Sequence, residues 1–178
     1  SSTGAITGTP MVAGNFTFVV RVTDGASQVA DSTTYNLSVG AVATASSIGY
    51  QNVLTKSATI QVQANPGNLL TTIYYCYGTD QTAVNNCSNW NLASVNGTGQ
   101  ISGLGTYLIS QDITGLTPNT PYYFRFKLVN AATGTGGITT SSLKNVRIPG
   151  RFYRAAVSGS NNFTTMAPLV VSSLPIGG

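Results

Sequence analysis

Apolar and polar residues alternate with a period of two along much of this chain, and this feature most constrains its fold. In PYYFRFKLV, at 121–129, the even positions are apolar and the odd positions include Arg125 and Lys127. Such alternation is typical of β-strands with one buried face. The positions that we predict to point inward are Ala58, Ile60, Val62, Ala64, Ile73, Tyr75, Tyr77, Tyr122, Phe124, Phe126 and Leu128. The same spacing leaves Tyr74 and Cys76 pointing outward.

The composition agrees with an all-β chain. Only 7% of the residues are charged, and the charged helix former Glu is absent, whereas Thr, Val and Tyr are plentiful. A chain that is soluble through Ser, Thr, Asn and Gln instead of charge fits an extracellular location, which we therefore predict. The sequence has no apolar run of 18 residues, so we predict no membrane insertion. The first residue is Ser1, so we expect a mature or excerpted chain.

Cys76 and Cys87 are the two cysteines of the chain. In an oxidising compartment such a pair is expected to form one disulfide, and two free thiols are the alternative.

Residues 15–39 have the pattern of a β-hairpin. Apolar positions recur with period two on both arms, and Asp24-Gly25 between them is a turn signal. We call the predicted apolar side the acceptor face, and it consists of Phe16, Phe18, Val20, Val22, Tyr35, Leu37 and Val39. A hairpin alone is marginal in water, and burying each of these side chains contributes roughly 1.5–3 kcal/mol. We therefore expect strands from elsewhere to cover this face.

The stretch GAITGTPMVAGNFTFVVRVTDG, at 4–25, resembles the second half of the Ig-like, cadherin-related repeats of bacterial surface proteins. The matching positions are Gly4, Ile6, Gly8, Thr9, Pro10, Gly14, Phe18, Val20, Val22 and Asp24. The resemblance implies that residues 1–40 are the C-terminal half of an Ig-like sandwich whose first half is missing.

Residues 41–166 resemble a bacterial fibronectin type III domain. Leu116, Pro118 and Tyr122 match the element that places the tyrosine of the tyrosine corner before a long strand. NNFTT, at 161–165, matches the last strand of such domains. The chain departs from the family by segments that we predict to be insertions, at 80–107 and 139–160. Long loops are often functional, although family drift explains them equally well.

APLVVSSLPIGG, at 167–178, resembles the opening strand of another Ig-like domain; we call this range the donor segment. Its apolar positions are Leu169, Val170, Val171 and Leu174. Two explanations fit. Either the donor segment of one copy completes the acceptor face of the next, which builds a filament of copies of itself, or the chain is one period of a longer array. We expect a structural subunit or repeat of a bacterial surface fibre.

The residues needed for most catalysis are absent. The chain has no His, no Glu, four scattered Asp and no phosphate-binding glycine loop with Lys. Triads of Ser, His and Asp, most zinc sites and paired carboxylates are therefore excluded. We predict no enzyme activity, no metal site and no cofactor.

Six of the eight basic residues lie between 125 and 154. With two aromatic neighbours they form what we call the basic patch, which consists of Arg125, Lys127, Lys144, Arg147, Arg151, Phe152, Tyr153 and Arg154. A solvated face is one interpretation. The other is a contact site for a partner chain or an anionic glycan, because Arg and aromatic residues are enriched at interfaces. Nucleic acid is not expected for an extracellular protein with a net charge of +4. An adhesin or spacer module of a long surface protein, recognising glycan or a partner cell through residues 139–160, is thus the alternative function.

Overall fold

The computed structural model describes residues 7–132 and 137–150. Within these ranges the chain is all-β, apart from one helix of five residues. None of the helical structure in these ranges is long and apolar enough to cross a membrane.

The first part of the chain is the predicted hairpin, built from two strand pairs. Strands β1 (Gly14–Phe18) and β4 (Tyr35–Val39) pair antiparallel, and β2 (Arg21–Thr23) and β3 (Val29–Asp31) continue the ladder towards the turn. The pairing register shifts by one residue between Phe18–Tyr35 and Arg21–Asp31, so the return arm contains one extra residue there. The Asp24 carboxylate accepts hydrogen bonds from the Ala26 and Gln28 amides and closes the turn.

A three-stranded sheet forms one layer of the remaining part. Its strands are β5 (Thr44–Gln51), β6 (Ser57–Asn65) and β10 (Tyr107–Thr114), in the order β10-β6-β5. The edge strand β5 has a bulge between Ser46 and Gly49, a feature that discourages edge-to-edge pairing.

A six-stranded sheet forms the second layer, around the long strand β11 (Pro121–Asn130), which pairs with β7 (Thr71–Gly78) on one side. The short strands β8 (Asn91–Leu92) and β9 (Gln100–Ile101) lie beyond β7. Strands β12 (Gly137–Thr140) and β13 (Lys144–Arg147) both pair with the other side of β11.

Of the segment predicted as an insertion, 139–160, the described part ends at residue 150. Residues 137–140 and 144–147 form one edge strand, interrupted by a bulge, where that prediction expected a loop. The bulge is held by Ser141, whose hydroxyl accepts a hydrogen bond from the Phe126 amide. This edge strand was not predicted because many of its residues are polar. An edge strand needs little of the apolar alternation by which strands were predicted. The strand predicted at 161–165 lies outside the described residues.

The core lies between the two sheets, where the alternation predicted it. The side chains predicted to face inward from β6 and β11 are buried, among them Ile60, Val62, Phe124 and Phe126. Tyr75 and Tyr77 are only half-buried, at the margin of this core. Cys76 points outward from β7 as predicted, yet it is buried. The cover comes from the segment 80–107, where helix α1 (Gln81–Asn85) packs on β7 and β11.

Candidate functional site: the acceptor face and the outer sheet face

The acceptor face exists as one apolar surface on the hairpin, because the register places its members opposite one another. Phe16 pairs with Leu37, and Phe18 pairs with Tyr35, whose ring stacks on it at a centroid distance of 5.5 Å. Directly paired residues point to the same side of an antiparallel ladder. Val39 lies opposite Gly14 and is half-buried at the base of the hairpin.

The acceptor face is exposed to solvent except at its base, where Val39 is half-buried. Leu37 is 49% exposed, Phe16 45% and Val22 63%. A shallow groove of about 440 Å³ runs over the distal half of this face. Its lining residues are Phe18, Val20, Val22, Ala30, Asp31, Ser32 and Tyr35. A contiguous apolar surface of this kind is typical of a protein interaction site.

The opposite side of the hairpin is mostly polar, apart from the exposed Val29 opposite Thr23, and it carries an ion pair. The Arg21 guanidinium donates two hydrogen bonds to the Asp31 carboxylate, each of 2.7 Å, directly across the β2–β3 ladder. These bonds lower the pKa of the Asp31 carboxyl and raise that of Arg21. The hairpin is therefore amphipathic, with one face suited to solvent and the other to burial.

A joint of polar contacts, formed by residues 40–43, 65–69 and Asn130, holds the hairpin base on the sandwich. The Asn68 amide donates to Asn15 Oδ1, Ser38 Oγ and the Val39 carbonyl at 3.1–3.2 Å. The buried Asn130 amide donates to the carbonyls of Ala41 and Pro66, both at 3.0 Å. The two parts that the sequence divided at residue 40 are thus joined by specific hydrogen bonds. None of these contacts was predicted, because each joins residues distant in sequence.

The basic patch is divided by the structure. Arg125 and Lys127 share the outer face of the six-stranded sheet, whereas Lys144 lies opposite Phe124 and so belongs to the other side of the sheet edge. Arg147 lies on the outer side and donates to Asn119 Oδ1 at 2.8 Å. The remaining four residues, Arg151, Phe152, Tyr153 and Arg154, lie outside the described residues.

Arg125 is occupied by contacts within the protein. Its guanidinium donates to the Asn85 carbonyl at 2.6 Å, to the Ser141 carbonyl at 3.1 Å and to Thr140 Oγ1 at 2.9 Å. These bonds fasten the end of helix α1 and the edge strand to β11. We therefore assign Arg125 a structural role within the sandwich, and its place in a contact site stays a prediction.

Cys76 and Cys87 form a disulfide that ties the segment after α1 to β7, with the sulfur atoms 2.11 Å apart. Next to it, Lys127 lies between two aromatic rings. Its Nζ is 4.8 Å from the ring centroid of Tyr74 and 4.8 Å from that of Trp90. The sequence predicted 80–107 as an insertion and did not identify Trp90 as a site residue. Its contact with Lys127 depends on how this loop packs on the sheet, which only the tertiary structure shows.

Comparison with known proteins shows no family membership. No family model matches the chain, and no curated protein matches it. Among solved structures, the sensor domain of the anti-sigma factor RsgI4 from Pseudobacteroides cellulosolvens is similar to this chain, in both a long and a short version. Both are 20% identical; the long version has a TM-score of 0.43 over 65% of this chain and 98% of its own length. The short version has a TM-score of 0.40 over 62% of this chain and 97% of its own length.

A solution structure of the same sensor domain is also 20% identical, with a TM-score of 0.39 over 71% of this chain and 91% of its own length. We draw no functional conclusion from likenesses at this level.

Proposed function

We propose that the chain is a structural subunit or repeat of an extracellular bacterial surface fibre. In this proposal the acceptor face is completed by the donor segment of a neighbouring copy. The observation that carries it is the exposure of the acceptor face, whose Phe16, Val22 and Leu37 side chains are each at least 45% accessible to water. An uncovered two-stranded ladder also leaves strand edges able to accept another strand.

Two further observations support the assignment to an extracellular protein with a fibronectin type III-like domain. The order β10-β6-β5 in one sheet and β12-β11-β7 in the other, with a hydrogen bond from the Thr117 amide to the Tyr122 hydroxyl, agrees with a fibronectin type III-like sandwich. The disulfide fits an oxidising, extracellular compartment. The acceptor hairpin is assigned to an Ig-like domain on its sequence motif alone.

The experiment compares the full chain with a chain ending at residue 166 in sedimentation velocity and negative-stain imaging. We expect concentration-dependent filaments from the full chain and monomers from the shortened chain. A synthetic peptide covering 167–178 should bind the shortened chain and stop the growth of filaments. A peptide with Val170→Ser and Val171→Ser is the control and should do neither. Filaments from the shortened chain would disprove donation by this segment.

A further inference from the structure

The outer face of the six-stranded sheet carries a surface that the fibre proposal does not use. Its central row runs across the sheet through Leu92, Tyr74, Lys127 and Thr140, which the pairing register places side by side. The Lys127 ammonium, in the interior of this row, also lies over the ring of Trp90. Leu92 is 50% exposed, whereas Tyr74, Trp90 and Lys127 are half-buried. The row therefore offers aromatic and aliphatic surface around one cation.

Within the part of the chain that the structure describes, no carboxylate forms an ion pair with this cation. The chain has four acidic side chains. Asp24 closes the hairpin turn, and Asp31 is paired with Arg21. Asp112 lies on the other sheet, where it accepts from Thr59, and the Asp80 carboxylate caps helix α1. Within the described ranges the Lys127 ammonium has neither a hydrogen bond nor an ion pair, so its three N–H donors remain for a ligand.

We propose that Tyr74, Trp90 and Lys127 form a binding site for a polysaccharide that contains uronic acid. The half-buried ammonium between two rings is complementary to a carboxylate, and neighbouring Arg125 adds a second positive charge at the same face. The ring faces and Leu92 provide the apolar surface on which the carbon-bound hydrogens of a sugar ring can pack. This site is built on β7, β11 and the disulfide-tied loop. Lys127 belongs to the basic patch predicted from the sequence, whereas Tyr74 and Trp90 were not predicted to take part, and the adhesin alternative relied on the 139–160 segment.

The chain contains its own reporter, because Trp90 is its single tryptophan. We would titrate the full chain with polygalacturonate and follow the fluorescence of Trp90. We expect a saturable change in emission that weakens as the salt concentration rises, since a half-buried ion pair is partly screened. Highly methyl-esterified polygalacturonate, which keeps the sugar rings and removes the charge, should bind about tenfold or more weakly.

Lys127→Met and Lys144→Met remove the same charge, so their comparison separates binding at a specific site from general electrostatic attraction of the polymer. Lys127→Met should weaken binding of polygalacturonate about tenfold or more, and Lys127→Arg should keep most of it. Lys144→Met removes an exposed cation from the edge strand β13, on the other face of the same sheet, and it should leave binding unchanged. Tyr74→Ala should weaken binding several-fold while the circular dichroism of the folded chain is retained.

Three results would overturn the proposal. They are the absence of any Trp90 response, equal binding of the methyl-esterified polymer, and an equal loss with Lys144→Met and Lys127→Met. The last result would mean that only the net charge of +4 attracts the polymer.

Discussion

At the scale of the residue, the joint depends on a position that only glycine fits. Gly67 has a φ of +66°, and a Cβ atom there would lie 2.4 Å from the Ala41 carbonyl oxygen. The carbonyl of the same residue accepts a hydrogen bond from the Ala41 amide at 2.7 Å. Close backbone approach and left-handed geometry thus coincide at the point where the hairpin meets the sandwich.

Replacement of Gly67 tests this coincidence. A side chain in the left-handed region costs roughly 1–2 kcal/mol, and overlap with packed backbone adds about 1–3 kcal/mol. Gly67→Ala should therefore lower the free energy of unfolding by clearly more than Gly97→Ala, measured by urea denaturation. Gly97 is the matched control, since its φ is +71° and a Cβ atom there would meet nothing within 4 Å. Equal losses would show that the joint adds nothing to stability.

Tyr122 is a second residue whose role is specific. Its hydroxyl accepts a hydrogen bond from the Thr117 amide at 3.0 Å, and the side chain is 9% exposed. Tyr122→Phe leaves that amide without its partner, at a cost of about 1–3 kcal/mol in unfolding free energy. Tyr123→Phe on the outward side of the same strand should cost little, and both are measured by urea denaturation. If the two variants were equally stable, the hydrogen bond between Thr117 and Tyr122 would have no stabilising role.

At the scale of the element, the hairpin is held by its ladder and one cross-strand ion pair. The pKa of Asp31 is lower in the folded chain than in the unfolded chain, because the carboxylate is hydrogen-bonded to Arg21. Its contribution is therefore complete above the unfolded pKa and disappears as the pH falls through the folded pKa. The pair is well exposed, so the effect is small and sensitive to salt.

Amide hydrogen exchange measures this effect at the ladder itself. Across the acidic range, the protection of amides in β2 and β3 should decrease as Asp31 becomes protonated, and high salt should reduce the change. Asp31→Asn is the control, because it removes the titrating group. After correction for the intrinsic exchange rate, protection should depend less on pH in the variant than in the wild type, because the Asp24 carboxylate at the turn is retained. A wild-type profile identical to that of the variant would contradict the prediction.

At the scale of the whole molecule, the sandwich has a closed core while the hairpin has none. The buried apolar cluster consists of residues between 43 and 148, and no acceptor-face residue belongs to it. Removal of an acceptor side chain should therefore change association and leave the stability of the sandwich intact.

Leu37→Asn tests this separation of roles. We expect it to abolish filament growth in sedimentation velocity and to leave the thermal unfolding of the sandwich unchanged. Leu108→Asn is the matched control, because Leu108 is a 61% exposed leucine on the three-stranded sheet. It should leave assembly intact. Equal effects of the two substitutions on assembly would point to general surface hydrophobicity instead of the acceptor face.

The alternation of apolar side chains by itself determined the all-β class, the inward rows of β6 and β11, and the apolar side of the hairpin. These are local properties, because a period of two specifies a face wherever the strand packs. Only the tertiary structure decided the rest. Arg125 holds the end of helix α1 by hydrogen bonds, and Lys144 lies on the other side of the sheet from Arg125 and Lys127. The ring of Trp90 contacts Lys127. Each of these contacts depends on which strands, distant in sequence, become neighbours in the sheet. Strand pairing is decided when loops close over long distances, and the local sequence carries no signal for it.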